Sequence, residues 1–96
     1  MIFSQQSLNI PVKQVLDDTM RYSDAEWVTI GVEDEGDFLG EANDYQSALV
    51  VFEKFLNLRV VDYWWGIKNG KTGVDIIVDE DDYYELRHGE EEDEIR

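Results

Sequence analysis

The sequence predicts a single α+β domain with elements in the order αββαββ and a four-stranded, mostly antiparallel sheet. Three observations support this fold class: two segments with helical spacing of apolar residues, strand-like alternation in three others, and the dipeptide Asn69-Gly70 between two alternating runs. With 96 residues, 43% of them apolar, the chain can bury a core without disulfide bonds. We expect the domain to span residues 1–88 and a mobile acidic tail to follow at 89–96.

Two segments predict helices. Pro11 suits the first turn of the first helix, and one stripe at i, i+3, i+4 spacing should be buried: Val12, Val15, Leu16, Thr19 and Met20. Asn43 and Gln46 match a capping box, so a second helix is expected through residues 44–58. The spacing predicts that five of its side chains face the core: Tyr45, Leu49, Phe52, Phe55 and Leu56.

The first predicted hairpin lies between these helices. Residues 26–32 alternate, which places Val28, Ile30 and Val32 on one face and Trp27 and Thr29 on the other. Residues 33–37, "EDEGD", predict a turn, and residues 38–42 predict the strand that returns antiparallel.

The second hairpin carries the strongest local signal, because Asn-Gly favours a two-residue type I′ turn. Counting outward from the turn pairs Lys68 with Lys71, Trp65 with Val74, Tyr63 with Ile76, and Val61 with Val78. One apolar face should then pack on the helices: Val61, Tyr63, Trp65, Val74, Ile76 and Val78. The other face carries Trp64 opposite Asp75 and Asp62 opposite Ile77, and a one-residue shift would bury these aspartates.

The C-terminal segment predicts a short helix over residues 81–88 that ends at Gly89. Asp79 to Asp82 favour its N-terminus through the helix dipole. We expect one of Tyr83 and Tyr84 to dock on the sheet and the other to stay exposed. Residues 90–94, "EEEDE", form a block of like charge that should remain mobile.

The net charge of −15, from 23 acidic and 8 basic residues, far exceeds the magnitude of about 2–8 that keeps a small domain soluble. Self-repulsion of this size predicts a compensating basic partner, a bound cation or a high-salt habitat. Direct binding of nucleic acid or of an anionic membrane is not expected, because the phosphates would be repelled.

The residues that carry common chemistries are missing. The chain has no cysteine and one histidine, which excludes a zinc site. A calcium loop starting at Asp79 would place Tyr83 and Tyr84 where an oxygen ligand and a glycine are needed. There is no nucleophile elbow and no glycine-rich phosphate loop. We therefore expect a protein that is not an enzyme and has no cofactor or metal. With no signal-peptide or membrane-span pattern, it should be cytoplasmic.

The acidic residues are clustered. Carboxylates at i and i+2 of a strand lie about 6.6–7 Å apart, and those at i and i+4 of a helix about 5–6 Å apart, so either can form a row of charge comparable to a phosphate backbone. The stretches "EDEGD", "DEDDYYEL" and "EEEDE", on a small cysteine-free α+β domain, resemble the acidic DNA-mimic inhibitors of phages and mobile elements. That class includes anti-restriction proteins and some anti-CRISPR proteins. The resemblance implies a non-enzymatic inhibitor that occupies the nucleic-acid groove of a basic binding protein or nuclease.

The residues expected to bind this partner lie in three acidic regions and include the aromatic residues among them: Glu33, Asp34, Glu35, Asp37, Asp62, Trp64, Asp75, Asp79, Glu80, Asp81, Asp82, Tyr83, Tyr84 and Glu85. An immunity protein that neutralises a cognate nuclease toxin is an alternative, with contacts centred on Trp64. An acidic housekeeping or halophilic domain is the third reading. We expect a monomer, or a homodimer formed through an exposed edge strand such as residues 38–42.

Overall fold

Three helices and five strands follow one another in the computed structural model, which describes residues 9–34 and 38–95, with side-chain environments to residue 88. The elements are β1 (Ile10–Pro11), α1 (Val12–Leu16) with a π-helical extension (Asp17–Arg21), β2 (Val28–Val32), β3 (Phe38–Ala42), α2 (Tyr45–Val51) with a 3₁₀ turn (Glu53–Phe55), β4 (Arg59–Lys68), β5 (Lys71–Val78) and α3 (Glu80–Ile95). The predicted α+β class and the αββαββ order are confirmed, with β1 and α3 as additions.

The sheet is mixed, with strand order β1-β4-β5-β2-β3. The pairs β1–β4, β4–β5 and β2–β3 are antiparallel, whereas β2 and β5 run parallel at the centre. The prediction of four strands is corrected to five, because β1 has only two residues and is too short to show any periodicity. Among the described residues the third helix, α3, follows the two helices of the αββαββ order and lies where the short C-terminal helix was predicted.

The core lies between one face of the sheet and the helices. All five residues of the predicted α1 stripe are buried there, as are Val28, Ile30 and Val32 of β2. Phe52 of the second helical segment is also fully buried, while the other four side chains predicted for that segment pack half-buried against the core. The alternation and the helical spacing therefore identified the buried faces of β2 and α1 correctly.

Helix α2 begins one residue later than predicted. Its N-cap is Asp44, whose carboxylate accepts a hydrogen bond from the backbone N–H of Ser47 at 2.8 Å. The prediction of Asn43 as the N-cap is wrong. Asparagine and aspartate are both favoured at N-caps, but here the Asp44 carboxylate is the group that reaches the backbone N–H of Ser47, the third residue of the helix. The helix also ends at Val51, and only a 3₁₀ turn continues it.

The β4–β5 hairpin confirms the predicted turn, because Asn69 and Gly70 both have positive φ, at 53° and 79°. The predicted pairs hold from Lys68–Lys71 to Asp62–Ile77. The prediction of Val61 opposite Val78 is wrong, because a bulge between Val60 and Asp62 places Val60 there. Counting from the turn assumes an uninterrupted ladder, and two adjacent valines hide the extra residue.

Trp65 and α3 give two more corrections. Trp65 pairs with buried Val74 and so lies on the core-facing side, but it is 45% exposed; it lies toward the hairpin tip, where Ile67, the next residue on this side, is 73% exposed. Helix α3 continues through Gly89 to Ile95, so the predicted end at Gly89 is wrong. A glycine costs a helix about 1 kcal/mol, which does not by itself stop it. The mobility of residues 89–96 stays a prediction, and Arg96 lies outside the described residues.

A candidate protein-binding surface

The face of the sheet opposite the core, called the open face below, carries no helix in the described part of the chain. Along four of the strands its residues alternate with those that face the core: Trp27, just before β2; Thr29 and Gly31 of β2; Phe38 and Glu41 of β3; Asp62, Trp64, Gly66 and Lys68 of β4; Gly73, Asp75 and Ile77 of β5. The strand pairing therefore confirms the prediction that Asp62, Trp64 and Asp75 lie on this face.

One end of the open face is closed by Trp27, which is buried although none of the described helices lies on this face. Its ring lies directly on Gly73, where a Cβ atom would be only 2.0 Å from ring atom Cδ2. Its Nε1–H donates to the carbonyl oxygen of Lys71 at 2.8 Å. Lys68 covers the ring with its Nζ 4.5 Å from the centroid, and the same ammonium lies 3.5 Å from Glu41. The predicted position of Trp27 on the face opposite Val28, Ile30 and Val32 is confirmed.

The other end of the open face is accessible and aromatic. Trp64 is 47% exposed and Phe38 is also exposed, and both border a depression of about 210 Å³. Two carboxylates flank Trp64: Asp75 accepts the hydroxyl hydrogen bond of Thr29, and exposed Asp62 accepts from the backbone N–H of Tyr63 at 2.8 Å. The arrangement offers an indole ring and two negative charges to a cationic side chain.

Two acidic segments that are far apart in the sequence meet at one end of the sheet. Because β2 and β5 are parallel, their C-terminal ends coincide, with Val32 beside Val78, and the N–H of Glu33 donates to the Val78 carbonyl oxygen at 3.0 Å. The turn after β2 therefore lies next to the start of α3. The acidic end of the sheet is defined here as these six residues: Glu33, Asp34, Asp79, Glu80, Asp81 and Asp82.

Two carboxylates of the acidic end have structural partners. The Arg59 guanidinium lies 3.4 Å from the Asp79 carboxylate and 3.3 Å from that of Asp82. Asp82 also accepts from the backbone N–H of Arg59 at 3.1 Å, and Asp79 accepts from the N–H of Asp82 at 3.1 Å, which caps α3. These contacts hold α3 against β4, so the two aspartates contribute charge to the surface from fixed positions.

The two adjacent tyrosines of α3 have different environments. Tyr83 is 6% exposed, with its ring centroid 6.3 Å from that of Phe55, and its hydroxyl accepts from Arg87 at 3.1 Å. Tyr84 is 37% exposed. The prediction that one tyrosine docks and the other stays exposed is confirmed. Tyr83 is thus placed to hold the acidic row in position, while Tyr84, Asp81 and Glu85 face solvent.

The structure brings most of the predicted partner-binding residues onto the open face, the acidic end or the adjoining turn of α3. Glu35 and Asp37 lie outside the described residues. Phe38 and Ile77 border the same depression but are not among the predicted binding residues, although Ile77 was correctly placed on this face opposite Asp62. Apolar strand residues indicate burial by default, and only the pairing of Phe38 with Gly31 shows that it lies on the open face.

Within the described residues, no group of three or more His, Asp or Glu side chains is arranged to hold a metal ion. None of the helices in this part of the chain combines the length and apolarity needed to cross a bilayer. Comparison with protein-family models, with curated proteins and with solved structures found no match.

Proposed function

We propose that this protein is a non-enzymatic inhibitor that binds a basic nucleic-acid-binding protein or nuclease at the surface where nucleic acid normally binds. The observation that carries the proposal is the parallel pairing of β2 and β5. It joins two acidic segments, separate in sequence, into one acidic end that adjoins Trp64 and its flanking carboxylates.

The spacing of the charges suits a groove that binds phosphates. Asp62 and Asp75 are diagonal neighbours on β4 and β5, at about 7–8 Å. Asp81 and Glu85 are four residues apart on α3, which corresponds to about 5–6 Å between Cβ atoms. Lysine and arginine side chains arranged to contact successive phosphates meet a comparable row of negative charges on this surface.

Trp64 adds affinity that charge alone does not provide. An arginine of the partner placed over the indole would gain a cation–π contact of roughly 0.5–2 kcal/mol while lying between Asp62 and Asp75. Long-range attraction should make association fast and sensitive to salt.

The test starts with capture of partners from a bacterial lysate on the immobilised protein, followed by elution with duplex DNA or with polyglutamate of equal charge. If the protein mimics nucleic acid, DNA should elute the partner at a lower concentration of negative charge than polyglutamate does. Binding of the purified partner should weaken steeply as salt is raised. Binding that ignores both salt and competing DNA would refute the proposal.

Two matched charge variants locate the contact. The surface variant carries Asp34→Asn, Asp62→Asn, Asp81→Asn and Glu85→Gln, and the control carries Asp18→Asn, Asp24→Asn, Glu26→Gln and Glu53→Gln; all eight side chains are exposed. Both lose the same charge. The surface variant should slow association by about tenfold or more and the control by no more than about threefold. Equal slowing would mean that net charge, and not this surface, drives binding.

The alternative of an immunity protein is favoured by one observation, the exposure of Trp64 at the centre of an acidic surface. In such an interface the aromatic residue would be a hot spot, and Trp64→Ala would cost about 2 kcal/mol or more in binding. A DNA mimic should lose less through Trp64→Ala than through the surface charge variant. Calorimetry with the purified partner separates the two readings.

A further inference from the structure

The outer edge of β4 is unpaired over most of its length in the described part of the chain. Strand β1 pairs only with Arg59 and Val60, and Asn9 before it has a left-handed φ of 60°, which interrupts extended pairing. Within the described residues, 62–68 of β4 therefore have a neighbouring strand on the β5 side alone.

The direction of the free backbone groups follows from the other side of the hairpin. The carbonyl oxygen of Thr72 accepts from the Glu26 N–H at 2.7 Å, and the Val74 N–H donates to the Trp27 carbonyl oxygen at 3.1 Å. Even-numbered residues of β5 thus face β2, and the odd-numbered ones face β4, where their partners are Lys68, Gly66 and Trp64. Because backbone direction alternates along a strand, the outward N–H and C=O groups of β4 belong to Tyr63, Trp65 and Ile67.

Natural edge strands are usually blocked by proline, by charged side chains or by a bulge. Residues 63–67 contain none of these, since the bulge of β4 lies before Asp62. The edge instead carries Trp65, 45% exposed, and Ile67, 73% exposed. Such an edge is a template for pairing with another strand.

We propose that this edge pairs with β4 of a second copy of the chain, antiparallel, to form a symmetric dimer with one continuous sheet. Although each copy carries a net charge of −15, the charges along the edge itself are complementary when two copies pair antiparallel. Strand β4 begins beside the acidic end of the sheet and finishes at a hairpin tip that carries Lys68 and Lys71. An antiparallel pair places each basic tip beside the acidic end of the other copy.

The outward groups also define the register. Outward residues must face outward residues, which permits Trp65 opposite Trp65 of the second copy and Tyr63 opposite its Ile67. In that register Asp62 lies opposite Lys68 of the second copy, whose ammonium then lies between two carboxylates, because Glu41 already contacts it. Trp64 lies opposite Gly66, where an aromatic ring can cover a residue without a side chain. The dimer joins the two open faces into one surface, but it stands independently of the proposed function.

Analytical ultracentrifugation over about 1–200 µM should show a monomer–dimer equilibrium. Ile67→Pro removes an outward N–H without touching the β4–β5 ladder, whereas Ile67→Thr keeps that N–H and loses similar apolar surface. We expect Ile67→Pro to be monomeric throughout this range, with a native circular dichroism spectrum, and Ile67→Thr to dimerise, although more weakly.

Cysteine cross-linking tests the register, since the chain has no cysteine of its own. Trp65→Cys should form a disulfide dimer on mild oxidation, because directly opposite residues have Cα atoms about 5.5 Å apart. Ile67→Cys alone should not cross-link, because its symmetry mate lies about 13 Å away, but it should cross-link with Tyr63→Cys in a mixture.

Three outcomes would overturn the proposal. One is a monomer at every concentration with rapid hydrogen exchange at the amides of Tyr63, Trp65 and Ile67. A second is a monomer in which these amides are protected at every concentration, which would mean that another part of the same chain covers the edge. The third is a dimer that survives Ile67→Pro, which would place the interface elsewhere.

Discussion

The contact between Trp27 and Gly73 predicts that Gly73→Ala severely destabilises the fold. The new methyl carbon would lie 2.0 Å from ring atom Cδ2 and 2.2 Å from Cε2. Since ordinary carbon contacts begin near 3.5 Å, the ring must move by about 1.5 Å or leave its site. Gly73 does not have a positive φ, so the substitution causes no backbone strain, and its cost comes from the ring alone.

The cost can be assembled from three contributions. Displacement of the ring breaks the 2.8 Å hydrogen bond from Nε1 to Lys71, worth about 1 kcal/mol. Lost packing of a nearly buried tryptophan adds up to about 3 kcal/mol, by comparison with core truncations. Alanine regains about 0.5–1 kcal/mol over glycine in a strand. The expected net loss is about 3 kcal/mol, which for a domain of this size lowers the melting temperature by roughly 15 °C.

Urea unfolding followed by far-ultraviolet circular dichroism measures this loss. The control is Gly66→Ala, at the residue that pairs with Gly73 on the same face, where a Cβ would meet the Trp27 ring at an ordinary 3.8 Å. It should change the unfolding free energy by less than about 0.5 kcal/mol. In a Trp27→Thr background, Gly73→Ala should also become nearly neutral. A loss below about 1 kcal/mol for Gly73→Ala in the wild-type background would refute the reasoning.

Two further predictions concern the helices. Asp82→Ala should lower the unfolding free energy by about 1–2 kcal/mol, because it removes the contacts with Arg59. Asp81 is exposed, so Asp81→Ala should change the unfolding free energy by less than about 0.5 kcal/mol. Similar losses for both variants would contradict the assigned role of Arg59. The Tyr45 hydroxyl, followed by Lys13, holds the pKa of Asp17 below its ordinary value of 3.8. Because the pKa is lower in the folded state, ionised Asp17 stabilises the fold at pH values above 3.8. This stabilisation is lost as the pH falls through the folded-state pKa. Tyr45→Phe should therefore destabilise the protein by about 1 kcal/mol at neutral pH, and its difference from wild type should shrink in acid. A difference that is independent of pH in chemical unfolding would argue against the Tyr45–Asp17 contact.

The features that were readable in advance depend on residues close together in the chain. The burial of the stripe from Val12 to Met20 could be predicted because helical periodicity repeats within a few residues. The pairing from Lys68–Lys71 to Asp62–Ile77 follows from the φ angles that Asn69 and Gly70 adopt at the turn. The bulge at Val61 and the cap at Asp44 were missed, since in each case two neighbouring residues satisfy the same local preference.

For the candidate surface, likewise, the sequence predicts the parts but not how they come together. Its components, the acidic segments and a tryptophan opposite Asp75, could be listed from local order and composition. Their assembly could not, because the parallel pairing of β2 with β5 joins segments that lie far apart in the chain, and local periodicity contains no information about which strands become neighbours. Long-range contacts of the same kind bury Trp27 against Gly73 on the open face and bring Arg59 to Asp79 and Asp82. Charge and alternation follow from neighbouring residues, whereas the shape of the acidic surface depends on contacts that form only when the whole sheet has folded.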